Sequence, residues 1–168
     1  STLFEAAMQE AAPSAALRLE VAELALQLKN FDRAQALADS VAREDDRGPR
    51  AHLLLARVAL ARNKLDDALM SARRSAVLGD LPESHFVLGQ VLEAMSKYDQ
   101  AVTEYALARR PPIEADASLG RARIMARLGA TRDALDELQP LVKIPRLRAP
   151  AMLLMGDFYA DQQQRDKA

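Results

Sequence analysis

The chain has no cysteine and no tryptophan, and only four phenylalanines and three tyrosines in 168 residues. The absence of cysteine removes disulfides, thiolate metal sites and cysteine nucleophiles, whatever the redox compartment. The scarcity of rings leaves a core to be built from small and aliphatic side chains. Charge of one sign is lacking too: 23 Lys and Arg stand against 24 Asp and Glu, a formal net charge of −1. No large positive field exists to hold phosphates, which disfavours a general nucleic-acid role. No apolar run approaches the ~20 residues of a membrane-spanning helix, which argues against direct membrane insertion by this segment. Glycine-rich phosphate loops are also missing.

What the chain does have is alanine and leucine, with 49% of its residues hydrophobic. Both residues favour helices because they lose little side-chain entropy there. One short pattern recurs five times: Phe31-Asp-Arg-Ala34, Leu65-Asp-Asp-Ala68, Tyr98-Asp-Gln-Ala101, Thr131-Arg-Asp-Ala134 and Arg165-Asp-Lys-Ala168. The alanines lie 34, 33, 33 and 34 residues apart. A fixed period in this range signals stacked supersecondary units.

With the alanine numbered position 20 of a 34-residue unit, units begin at Ala15, Pro49, Pro82, Ala115 and Ala149. Full repeats then span 15–48, 49–81, 82–114 and 115–148, with a partial one at 149–168. Each reads as two antiparallel helices. The first fills positions 1 to 14. A turn follows at Lys29-Asn30, Asn63-Lys64, Ser96-Lys97 or Gly129-Ala130, and the second helix starts near position 17. Pro13, Pro49, Pro82, Pro111-Pro112, Pro145 and Pro150 fall at or near the expected junctions, where proline is tolerated. Pro140 alone falls inside a second helix, and it predicts a kink or an early end. Running the phase backwards puts Phe4 at position 24 and Ala7 at position 27. Residues 1–14 therefore read as the second helix of a preceding repeat. With Ala168 at position 20, the expectation is a piece of a longer array.

In the third unit, Leu88-Gly89, Leu92, Tyr98, Ala101, Tyr105 and Ala108 form a pattern that resembles the tetratricopeptide repeat family. The fifth unit follows with Met155-Gly156 and Tyr159, and the others place Ala22, Ala56 or Ala122 where Gly89 stands. The chain departs from the family at the tryptophan position, which holds Arg18, His52, His85, Ser118 and Met152. It departs again at Arg121, where a leucine is expected. The resemblance implies an all-α fold: a right-handed superhelical solenoid of antiparallel helix pairs, with about ten helices.

The resemblance also implies that the first helices line a concave groove. Position 5 holds Leu19, Leu53, Phe86, Leu119 and Leu153, an apolar stripe. Position 9 holds the polar residues Glu23, Arg57, Gln90, Arg123 and Asp157, and position 12 adds Leu60 and Glu93. This set predicts a non-catalytic scaffold that holds a peptide or partner protein. Phe86 would be the central anchor, and Arg57 and Arg123 would be candidate clamps for a partner carboxylate. Two alternatives follow from the same residues and family. One is a structural array that self-associates through ends exposing Met152, Met155 and Tyr159. The other is an accessory region of a larger enzyme or of a bacterial-type envelope, secretion or polysaccharide-export machine.

No cofactor is implied and no catalytic constellation is evident. His52 and His85 share one repeat position, but two histidines without further ligands make a poor metal site, and packing accounts for them better. Glu44-Asp45-Asp46, between Arg43 and Arg47, reads as a solvated charge run. Lys143, Arg146 and Arg148 form a short basic turn, and Met125, Met152 and Met155 read as packing residues.

Overall fold

The computed structural model describes residues 14–165, with side chains up to Ala160. The helix expected over residues 1–14 and the fifth recurrent alanine, Ala168, therefore lie outside the described residues. The chain divides into two compact units at Gly79 and Asp80. The first contains α1 (Ala15–Gln27), α2 (Phe31–Glu44), α3 (Pro49–Ala61) and α4 (Leu65–Gly79). The second contains α5 (Pro82–Ala94), α6 (Tyr98–Leu107), α7 (Glu114–Arg127), α8 (Thr131–Leu138), a 3-10 segment (Gln139–Lys143) and α9 (Pro145–Arg165). No strand occurs among the described residues. In each unit, helices adjacent in sequence pack as antiparallel pairs, and first helices of successive pairs lie side by side.

The turns inside the pairs share one device. Position 15 has a positive φ in all four: Lys29 58°, Asn63 57°, Ser96 59° and Gly129 89°. The next residue then donates its N–H back into the helix, from Asn30 to the Ala25 carbonyl at 2.8 Å and from Lys97 to the Leu92 carbonyl at 2.8 Å. Lys64 to Ala59 and Ala130 to Met125 repeat it at 2.9 Å. A left-handed residue at this place satisfies otherwise orphaned carbonyls and reverses the chain. Starts are specified too. Pro49, Pro82 and Pro145 stand at or next to the first helical position, where a missing N–H costs nothing. The side chains of Ser14 and Asn30 accept from the N–H groups of Leu17 and Arg33, both at 3.2 Å.

The second helices bury one narrow stripe. Position 20 (Ala34, Ala68, Ala101, Ala134), position 24 (Ala38, Ala72, Tyr105, Leu138) and position 27 (Val41, Ser75, Ala108, Leu141) are all buried. What faces position 24 varies with its size. In the first unit Ala38 clusters with Ala22 and Leu54, so a leucine from α3 fills the space that alanine leaves. In the second unit Tyr105 occupies the site, and both facing positions are glycine. A Cβ on Gly89 would lie 2.9 Å from Tyr105 Cδ1, and one on Gly120 2.8 Å from Cε1 and Cζ. Protein interiors have no slack to absorb such overlaps. In the fourth repeat Leu138 packs with Ala122, Leu141, Leu147 and Ala151, and with Leu154 and Phe158 at the margin.

Three features depart from, or add to, the expectations. The Pro140 helix ends early: α8 stops at Leu138 and passes into the 3-10 segment. This removes a turn, so α9 begins at Pro145, four residues ahead of the expected Ala149. Pro150 consequently lies within α9 and not at a junction. Arg121, where a leucine was expected, places Nη1 3.1 Å from both Glu137 carboxylate oxygens. Ala122 beside it is fully buried.

Position 15 supplies a stability test. A side chain costs about 1 kcal/mol in the left-handed region, and glycine does not incur it. Ser96→Gly should raise the unfolding free energy by about 0.5–1 kcal/mol and Gly129→Ala should lower it by about 1 kcal/mol in urea titrations.

Candidate partner-binding groove

The residues expected to line the groove all lie on the first helices. In the first unit Leu53 is buried. Leu19 is half-buried against the Ala22, Ala38 and Leu54 cluster, and Leu60 is half-buried. Glu23 on α1 and Arg57 on α3, both at position 9, form an ion pair through Arg57 Nη1. This pair spans the two helices and is more than a third exposed.

In the second unit Phe86 is half-buried, its ring centroid 5.8 Å from that of Tyr105 at an interplanar angle of 57°. Gln90 is half-buried, and Leu119 packs at the edge of the Ala122 and Leu138 cluster. Leu153 and Asp157 on α9 are exposed, Leu153 at 68%. The apolar stripe is therefore graded. Its members run from the buried Leu53, through half-buried Leu19, Phe86 and Leu119, to the exposed Leu153.

A polar network underlies the second unit's part of this surface. Tyr105 is fully buried as a residue, and its hydroxyl donates to Glu93 Oε2 at 2.8 Å. Arg123 on α7 grips the same carboxylate with Nε at 2.7 Å and Nη2 at 2.6 Å. Burial, reinforced by the Glu93 carboxylate, pushes the Tyr105 hydroxyl far above the ordinary phenol range, so it acts only as a protonated donor. The Glu93 hydrogen bonds raise Arg123 further above its ordinary value. Sequence reasoning placed Glu93 and Arg123 in the groove and Tyr105 among the scaffold residues, but it missed that the three are joined. The available signal was the spacing. Positions 12 and 24 oppose each other across a helix pair, and Arg123 lies one repeat on and one turn back from Glu93.

The remaining candidates for chemistry are engaged in the scaffold. His52 Nε2 lies 3.0 Å from the Asp46 carbonyl. His85 sits between Glu104 Oε2 at 2.7 Å and Asp80 Oδ1 at 2.9 Å. Arg146 of the basic turn pairs with Asp116 at 2.6 and 2.7 Å. A cleft of about 720 Å³ opens beside Pro111, Pro112, Arg121, Glu137 and Pro140. Its buried carboxylate, Glu137, is already held by Arg109 and Arg121. Among the described residues no group of three or more metal-ligating side chains converges, and no helix is long and apolar enough to cross a membrane.

Comparison with known proteins agrees with this architecture. Two family models, each described as tetratricopeptide repeat, match residues 2–58 and 86–146. No curated protein matches the chain. Among solved structures, YrrB, described as a TPR protein with an unusual peptide-binding site, superposes with a TM-score of 0.74 at 20% identity. That match covers 98% of this chain and 86% of that one. PilF of Pseudomonas aeruginosa superposes with a TM-score of 0.81 at 15% identity over 89% of this chain and 69% of its own. PilW, a type IV pilus biogenesis factor, gives 0.76 at 18% identity over 94% and 80%. At these identities the likeness shows the fold.

The surface charges supply a pH test. Hydrogen bonds from His85 and then Arg110 hold Asp80 below the usual carboxylate range, and Arg18 does the same for Glu44. A depressed folded-state value means stability that is complete above the unfolded value near pH 4 and lost as pH falls through the folded value. Urea midpoints should hold between pH 7 and about 5 and drop below about 4. Asp80→Asn should flatten that acid limb, and an unchanged limb would show that Asp80 does not contribute to it.

Proposed function

Because the chain belongs to the tetratricopeptide repeat family, and its repeats make a protein-interaction scaffold, we propose that it binds an apolar peptide segment along the first helices of its second unit. The observation that carries this reading is the pairing of the groove's own charges. Arg57 is occupied by Glu23 and Arg123 by Glu93. Neither guanidinium is free to clamp a partner carboxylate without breaking a pair. In the second unit Phe86 and Leu119 are left as half-exposed apolar contacts, with Gln90 as a polar neighbour that can set register. Affinity would then come from apolar anchors seated beside the Glu93–Arg123 pair, and charge would serve selectivity by penalising partners that misplace it.

YrrB has a peptide-binding site by its own description. The reading for this chain rests on its own side chains and treats that protein as a precedent for the fold. The chemistry is binding alone, in keeping with a family whose members are generally non-catalytic scaffolds.

Selection of random peptides displayed on phage against the purified chain tests the reading. Enriched sequences should share aromatic or aliphatic anchors and should lose about tenfold in affinity against Phe86→Ala. They should tolerate Arg57→Gln. Enrichment of peptides that depend on a free C-terminal carboxylate, or affinity indifferent to Phe86→Ala, would contradict it.

A further inference from the structure

The second helices of the two units differ in length. In the first unit α2 and α4 run for 14 and 15 residues, whereas in the second α6 stops after 10 and α8 after 8. Prolines follow both early ends, Pro111 and Pro112 after α6 and Pro140 after α8. Proline lacks the N–H that would continue a helix. The cleft of about 720 Å³ in the second unit opens where those turns are missing, and all three prolines line it. Its size is within the range of about 300–1,000 Å³ usual for ligand sites.

The interior of the cleft and its rim have opposite character. Inside, Arg109 and Arg121 share the single carboxylate of Glu137, which leaves one positive charge in excess. Ser118, only 5% exposed, lines the same wall, and its hydroxyl has no hydrogen-bond partner among the described residues. Arg121 Nε, buried three residues further along α7, has none either. Buried polar groups are normally matched, so two unmatched donors on one wall mark a place for an acceptor. At the rim stand Glu114, Asp133 and Asp136, all exposed and without an ion pair or hydrogen bond among the described residues. Exposed acids alone are ordinary solvated charges. The unmatched buried hydroxyl beneath them is what sets this cleft apart.

We propose that this cleft is a docking site for an arginine-bearing segment of a partner polypeptide, separate from the first-helix groove. The guanidinium lies at the rim, where its planar fork of donors suits the carboxylates. A backbone carbonyl of the segment turns inward, accepts from the Ser118 hydroxyl and sits beside the excess positive charge. The methylene stem of the arginine lies along the proline rings and Met125. An anion fits less well, because three carboxylates stand at the entrance. A wholly apolar segment fits less well too, because it would desolvate those carboxylates and leave the hydroxyl unmatched.

The probe is Nα-acetyl-arginine N-methylamide, the smallest molecule with both features, titrated into the isotope-labelled whole chain and followed by amide NMR shifts. Saturable shifts are expected around Ser118, Arg121 and Asp136, with a dissociation constant of about 1 mM. The glutamine analogue keeps the backbone amides without the charge and should bind about tenfold more weakly. The double variant Asp133→Asn, Asp136→Asn should weaken the arginine probe by about tenfold as well. Both positions are exposed, so circular dichroism of the variant should match the wild type. Ser118→Ala should cost about threefold, a loss that general attraction to surface acids would not produce. No saturable shift up to about 20 mM, equal binding of the glutamine analogue, or indifference to either variant would overturn the proposal. So would shifts centred on Phe86 and Gln90, since the probe would then occupy the groove.

Discussion

The ring of Tyr105, held between the backbones of Gly89 and Gly120, determines how three helices of the second unit can approach one another. Its apolar body fills a space that would be a cavity with alanine and an overlap with any added Cβ on either glycine. Its hydroxyl, buried with the ring, must find an acceptor. Glu93 supplies one, and the carboxylate so drawn inward needs a counter-charge, which Arg123 supplies from the next first helix. One shape constraint thus leads through one hydrogen bond to the charge arrangement of the surface where a peptide is proposed to lie.

The same logic of neighbouring repeats orders other charges. Asp32 pairs with Arg62, Asp80 with Arg110, Glu93 with Arg123 and Asp116 with Arg146. Each arginine is thirty residues beyond its acid. Thirty is one repeat less one helical turn, so each pair joins one repeat to the next. Such pairs are individually worth at most about 1 kcal/mol when exposed. Their recurrence contributes register between repeats more than bulk stability. It also neutralises arginines that, read one at a time, look like free anion-binding groups.

Much of this was legible in the chain because the repeat imposes a phase. The recurrent alanines marked the buried stripe, and Lys29, Asn63, Ser96 and Gly129 fell in the turns. Pro140 marked the one second helix that ends early. Other features depended on tertiary partners that no local pattern reports. Pro150 read as a boundary, yet it lies inside α9, because the shortening at Pro140 moved the helix start to Pro145. Leu19, Leu53 and Leu153 occupy one repeat position and differ widely in exposure, because what covers a first helix is set by its neighbours. Arg121 stands where leucine was expected, and it fits because Glu137 meets it across the pair.

If complementary size at position 24 and its facing positions governs how the helices pack, the first unit's solution should be transferable to the second. Ala38 with Leu54 in one and Tyr105 with Gly120 in the other are two ways of filling the same site. The direct measurement is a double-mutant cycle in urea on Tyr105→Ala and Gly120→Leu. Each change alone should destabilise, Tyr105→Ala by about 3–5 kcal/mol. Together they should recover about 1–3 kcal/mol relative to their sum. Additivity within about 0.5 kcal/mol would contradict the account, because the two positions would then not share one volume.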